Sequence, residues 1–266
     1  MLKDITLGQF FPGNSILHKL DPRTKIIATM TLMIVIFLAR SLWAYLLLGA
    51  FILLLVAIST IPPRTVIKSL KPLIFIILFT GSLNLFLTRG EGAPLVQWWI
   101  FTIYPEGIAF AAMMASRIIM LIIVSTVVLT YTTSPIDLTD GIERLLAPGK
   151  LIRLPVHEFA MMMTIALRFI PTLIEETDKI MSAQKARGAD FTTGSLKKRV
   201  QSLLPILIPL FISAFRRAED LAVAMECRCY RGGKGRTKMK RLKMGTYDLL
   251  FFAIMIGLSV AVIFVN

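Results

Sequence analysis

Two arginines that end matched helical patterns offer the clearest binding chemistry in this sequence. Arg187 is the centre of Ala186–Gly188, and Arg228 is the centre of Cys227–Cys229, 41 positions later. A guanidinium presents a planar fork of N–H donors that fits a carboxylate or a carbonyl rim. The residue types therefore predict two docking sites for a partner that carries such acceptors.

The surroundings of the two arginines repeat in register. A shift of 41 positions aligns Asp178 with Glu219, Ile180 with Leu221, Ala183 with Ala224 and Arg187 with Arg228. In each copy the aliphatic residue, the alanine and the arginine fall at i, i+3 and i+7, which places them on one stripe of a helix. A cation near a helix C-terminus gains about 0.3–1 kcal/mol from the macrodipole. That gain explains one arginine but not the repeated stripe, so we infer that a partner docks twice.

Other chemistry is sparse. His18 and His157 lie far apart and match no metal-ligand spacing, so no metal site is expected. Cys227 and Cys229 lack a second ligand pair, which favours small packing residues over a metal site. The segment Gly232–Thr237 is glycine-rich and basic but lacks the order of a phosphate-binding loop. We therefore predict a chain that is not an enzyme and needs no cofactor.

Composition indicates a membrane protein. Of the 266 residues, 56% are hydrophobic, against about 45–50% in soluble domains. A formal net charge of +14 would suggest nucleic acid in a soluble protein. Here the cations gather between apolar segments, so we predict a lipid bilayer environment and no nucleic-acid partner.

A helix that crosses a bilayer needs about 20 mostly apolar residues. The apolar runs predict an N-terminal membrane part, residues 1–131, and a C-terminal span within residues 246–266. The predicted spans are 26–39, 42–61, 73–87, 107–131 and 246–265. With the N-terminus in the cytoplasm, Arg40 and Arg89 are the cations left outside, in agreement with the positive-inside rule. Arg117 lies within a span, where it either sits near a helix end, faces a partner or serves function.

Residues 132–245 carry most of the remaining cations and are predicted to lie in the cytoplasm. Capping and periodicity place helices at about 135–147, 155–188 and 195–229. The apolar run Leu203–Phe215 is short for a span. Two additional spans would preserve the topology but would leave Lys185 and Arg187 outside. We favour long amphipathic helices at the inner membrane surface.

The arrangement resembles the transmembrane T component of energy-coupling-factor (ECF) transporters over essentially the whole chain. The residues that carry the resemblance are Leu167–Pro171, Glu175-Glu176, Ala183–Gly188 and Ala224–Gly232. The first arginine has the family's Ala-Arg-Gly in full, whereas cysteines flank Arg228. Tyr230-Arg231-Gly232 also reads as x-Arg-Gly, which leaves Arg231 as an alternative; the internal alignment favours Arg228.

The resemblance implies an all-α fold of about five spans and a cytoplasmic domain with two long, crossing coupling helices. It also implies a non-catalytic subunit in the bacterial cell membrane. Two ATPase subunits would each receive one arginine, and a separate membrane protein, the S component, would capture a vitamin or similar micronutrient. Three alternatives stay open: an ABC-type permease that binds its own substrate, a membrane enzyme, and a passive anchor for soluble proteins.

Overall fold

The computed structural model describes residues 10–88, 96–98, 101–148, 155–189, 191, 195–232 and 242–266. Over these residues the chain is almost entirely helical, which confirms the predicted all-α membrane fold. The helices are α1 (Ile16–Lys19), α2 (Pro22–Leu38), α3 (Leu42–Ser59), α4 (Pro63–Leu70), α5 (Ile74–Leu87), α6 (Pro105–Val124), α7 (Pro135–Leu145), α8 (Val156–Ala186), α9 (Leu196–Cys227) and α10 (Thr246–Val265). A short 3-10 helix, Lys71–Leu73, joins α4 to α5, and a π-helix, Ser125–Tyr131, continues α6.

One small feature was not predicted. Strand β1 (Val96–Trp98) pairs antiparallel with β2 (Phe101–Ile103), with Val96 opposite Ile103. The pair lies in the connection between α5 and α6. Each strand has three residues, which is too short for an alternating pattern to be recognised in the sequence.

Five described helical segments are long and apolar enough to cross a membrane. They are Leu42–Ser59, Pro63–Leu87, Pro105–Tyr131, Val156–Ala186 and Thr246–Val265. This set includes α8, which we predicted to lie at the inner surface, and omits α2, which has 17 residues. Length and composition alone do not decide where α8 lies, so its surface position stays a prediction.

The residues divide into two compact units, which we name the spanning unit (Gly8–Gly141 with Leu242–Asn266) and the arm unit (Ile142–Arg241). In the spanning unit, α2 and α3 bury one face each against α6 and α10. The buried core includes Leu32, Ile36, Leu48, Val128 and Met255, none more than 2% exposed. The opposite faces expose large apolar side chains such as Phe37 and Leu53, as expected for helices surrounded by lipid.

The turn between α2 and α3 is held by two side chains from elsewhere in the spanning unit. Arg117 donates from Nη2 to the carbonyl of Ala39, 2.8 Å away, and its guanidinium lies 5.7 Å from the centre of the Tyr45 ring. The Asn266 amide donates to the Leu38 carbonyl and accepts from the backbone N–H groups of the turn. The guanidinium of Arg117, which belongs to α6, thus lies against the C-terminal end of α2 and donates to a carbonyl that the helix leaves free.

A buried polar cluster lies at the other end of α2. Asp248 of α10 accepts from the backbone N–H of Asp21 at 2.8 Å and from that of Gly245 at 2.8 Å. Lys25, only 1% exposed, donates from Nζ to the carbonyl of Thr132 at 2.7 Å. These bonds join α2, the end of the π-helix and α10, so residues far apart in the sequence close the spanning unit.

Candidate functional site: two arginine-ended helices

The arm unit is built on two long helices that each end at a predicted docking arginine. Helix α8 has 31 residues and α9 has 32. Each helix contains proline within its length, Pro171 in α8 and Pro205 and Pro209 in α9, and continues as a helix after it. Pro171 lies at the midpoint of α8, and Pro205 and Pro209 lie in the first half of α9, so the final turns keep their full backbone hydrogen bonding.

Helix α8 ends in a compact capped turn. Gly188 has φ +87° and donates its N–H to the Lys185 carbonyl at 3.0 Å. Ala189 donates to the Gln184 carbonyl at 3.0 Å. This pair of bonds is the Schellman motif, which needs a left-handed residue after the last helical turn. Glycine adopts that conformation without steric cost, so the sequence fixes where Arg187 lies.

Helix α9 ends in the same turn with a different residue at the left-handed position. Cys229 has φ +54° and donates its N–H to the Glu226 carbonyl at 2.8 Å, while Tyr230 donates to the Met225 carbonyl at 3.0 Å. Every donor and acceptor lies 41 positions after its counterpart in α8. Arg187 and Arg228 therefore hold equivalent backbone positions. Arg231 lies beyond this turn, and the residue 41 positions before it in the sequence is Asp190, not an arginine.

Exposure is matched as well. We name Ala186–Gly188 the α8 tip and Cys227–Cys229 the α9 tip; all six residues are exposed, and both cysteines are free thiols. Ala183 and Ala224, one turn earlier, are also exposed. Small side chains thus precede each guanidinium and leave its approach open. Neither arginine pairs with a carboxylate in the part of the chain that the structure describes.

The two helices contact each other well before their tips. Arg217 of α9 donates from Nη2 to Oε2 of Glu176 in α8 at 2.8 Å, and Ser213 donates to the other carboxylate oxygen. Sequence reasoning did not find this pair. A signal was present, because residues 176 and 217 are also 41 positions apart.

An apolar groove lies beside this contact. Its volume is about 510 Å³. It is lined by Leu173, Leu207, Ile208, Leu210, Phe211, Ile212 and Ala214. Phe211 is 63% exposed, so the groove presents an apolar surface that no described residue of the arm unit covers. Among the described residues, no cluster of three His, Cys, Asp or Glu side chains could hold a metal ion.

A predominantly helical chain with several apolar segments of membrane-spanning length is a multi-pass membrane protein, and its relatives define its class. Residues 13–239 match the family model CbiQ, described as cobalt transport protein. The chain is 57% identical over 250 residues to the energy-coupling factor transporter transmembrane protein EcfT of Ruminiclostridium cellulolyticum, covering 94% of this chain and 92% of that one.

Similarity extends over full length in other relatives. The protein of the same name from Acidaminococcus fermentans is 53% identical over 266 residues, with 100% of this chain and 98% of the relative covered. That from Bacillus subtilis is 46% identical with both chains covered completely. The chain belongs to the CbiQ family of transport proteins, as a transmembrane component of an energy-coupling factor transporter. The resemblance noted in the sequence is confirmed.

Proposed function

We propose that this chain couples ATP hydrolysis on two partner subunits to the uptake of a micronutrient bound by a third, membrane-embedded S component. In this proposal each tip docks on one ATPase, with Arg187 and Arg228 as the charged anchors. The observation that carries the proposal is the repetition of one capped, exposed arginine turn at a spacing of 41 residues. Two partners of the same fold would each bind one copy of such a repeat.

The chemistry of the tips supports this role. Each arginine lies within a Schellman turn, so its Cα position is fixed before binding and little backbone entropy is lost on docking. Exposed alanines allow a groove on the partner to approach the helix closely, and the guanidinium donors match carboxylate or carbonyl acceptors at its rim. The two tips differ in sequence, which favours two non-identical ATPases.

The apolar groove supports a second proposed contact, with the membrane-embedded S component. Its lining is leucine, isoleucine, phenylalanine and alanine, which suits a helix face of a membrane protein better than a soluble partner. We assign it to the S component. Motion of the ATPases would then travel through α8 and α9 to the cargo-binding subunit. In this proposal the N-terminus faces the cytoplasm of a bacterial cell and the chain itself is not catalytic.

Co-purification tests the proposal. The Arg187→Glu/Arg228→Glu double variant should insert normally yet lose both ATPase subunits during affinity purification in detergent, and ATP-dependent uptake should stop. Full recovery of the ATPases would refute the assignment. Binding of a micronutrient by the purified chain alone would instead favour a permease that carries its own substrate.

A further inference from the structure

The ion pair between Glu176 of α8 and Arg217 of α9 lies at the same distance from the docking arginine in both helices. Glu176 lies 11 residues before Arg187, and Arg217 lies 11 residues before Arg228. At about 1.5 Å per residue, each stretch from the contact to its arginine is about 16 Å long. The ion pair therefore joins equivalent points of the two copies, and it leaves two arms of equal length.

Both arms are built to be stiff. Pro171, Pro205 and Pro209 all lie before the contact, so no proline interrupts the helix between the ion pair and either tip. Leu173 and Ala214, which line the apolar groove, are again 41 positions apart. The 41-residue equivalence of α8 and α9 thus extends to the other side of the contact, where both residues line the groove.

The bonds to the Glu176 carboxylate constrain the orientation of α8 against α9 more than they stabilise the fold. Both oxygens of Glu176 are used, one by Arg217 and one by Ser213, which stand four residues apart on one face of α9. The Glu176 side chain is 23% exposed and that of Arg217 is 37% exposed. Ion pairs this open contribute little to stability. Two bonds to one carboxylate nevertheless fix how one helix is rotated against the other.

We propose that Glu176 and Arg217 are positioning residues that set the separation of the α8 and α9 tips. The proposal rests on the proposed function for its biological meaning, but its geometric content concerns this chain alone. Rotation of one arm by about 10° about the contact would displace its tip by about 3 Å, because the arm is about 16 Å long. A displacement of that size misaligns a docked guanidinium.

The distance between the tips can be measured directly. Spin labels are placed on Ala183→Cys and Ala224→Cys, both exposed, in a background that carries Cys227→Ser and Cys229→Gly. Double electron–electron resonance on the full chain in lipid nanodiscs should give one narrow distance peak. Glu176→Gln and Arg217→Gln should each broaden or shift it by several ångströms. The charge-swapped pair Glu176→Arg/Arg217→Glu should restore it in part, because the ion pair between α8 and α9 forms again but the bond from Ser213 does not.

Neighbouring residues provide matched controls. Glu175 and Arg216 are exposed, adjoin the pair and are themselves 41 positions apart. Glu175→Gln and Arg216→Gln should leave the distance peak unchanged. If Glu176→Gln gives the same peak as Glu175→Gln, the positioning role is overturned, whatever the partners do.

A second measurement separates this inference from the function on which it rests. Uptake per ATP hydrolysed should fall in Glu176→Gln while the thermal unfolding midpoint stays close to that of Glu175→Gln. If the peak broadens but the tip arginines prove unnecessary for ATPase recovery, the positioning role stands and the proposed function fails. Equal losses of uptake and thermal stability, with an unchanged peak, would show a merely structural contact and overturn the positioning role.

Discussion

Gly188 and Cys229 occupy the equivalent left-handed position in two capped turns of the same type, 41 residues apart. Their φ angles are +87° and +54°, and each donates its N–H to the carbonyl three residues before it. Glycine accepts this conformation freely, whereas a residue with a Cβ is strained there by about 1–2 kcal/mol. The α9 tip therefore holds local strain that the α8 tip does not.

Replacement of Cys229 by glycine should relieve that strain. We expect Cys229→Gly to stabilise the α9 tip by about 1 kcal/mol, which slows amide exchange of Tyr230 about fivefold. Hydrogen–deuterium exchange with mass spectrometry on the purified chain measures this. Gly188→Ala is the matched opposite and should speed exchange at Ala189. Unchanged exchange in Cys229→Gly would mean that the left-handed turn is not strained.

Single charge reversals distinguish the two candidates for the second tip. Arg187→Glu and Arg228→Glu should each weaken ATPase binding about tenfold to a hundredfold, because a charge-assisted hydrogen bond contributes about 1.5–3 kcal/mol. Binding is measured with immobilised chain and purified ATPases. Arg231→Glu is the control and should have a smaller effect. A larger effect at Arg231 would show that Arg228 is not the second anchor.

The native cysteines test on which side of the membrane the tips lie. Cys227 and Cys229 are exposed and free in the chain alone, so in cells that lack the ATPases a membrane-impermeant maleimide should label them only after the cells are made permeable. Asn266→Cys, in a background without the two native cysteines, should react in intact cells, because we predict the end of α10 outside. Labelling of Cys227 from the external medium would contradict both the topology and the docking role.

Arg117 should contribute to stability rather than to transport chemistry. Arg117→Met leaves the Ala39 carbonyl without its partner, a loss of about 1–3 kcal/mol, and should lower the thermal unfolding midpoint in detergent. Arg40→Gln changes an exposed side chain at the same turn and should have little effect. An unchanged midpoint in Arg117→Met together with a loss of uptake would indicate a functional role instead.

Local patterns in the sequence were sufficient for much of the arm unit. The apolar periodicity indicated long helices, and Gly188 indicated the end of α8 because a left-handed cap needs glycine. The end of α9 could not be inferred from its own residues, since Cys229 does not predict a left-handed turn. It followed from the internal alignment with α8, which placed Arg228 opposite Arg187.

Contacts between elements that are distant in the chain could not be predicted from the sequence. Nothing near Arg117 predicts that it meets Ala39, and nothing near Glu176 predicts Arg217, because both contacts depend on how helices pack. Periodicity shows which face of a helix is apolar but not which helix covers it. The burial of Lys25 was also missed, since a lysine before an apolar run is typical of the solvated start of a span.

The bond between Asp21 and Asp248 orders events during synthesis. Its partners are 227 residues apart, so a ribosome that adds about 5–20 residues per second needs about 10–45 s to deliver the second after the first. Throughout that interval the N-terminal end of α2 lacks its carboxylate partner, while α8 and α9 are already being made. The spanning unit is thus the last to be completed, and premature termination before Asp248 would leave it open even though both tips exist.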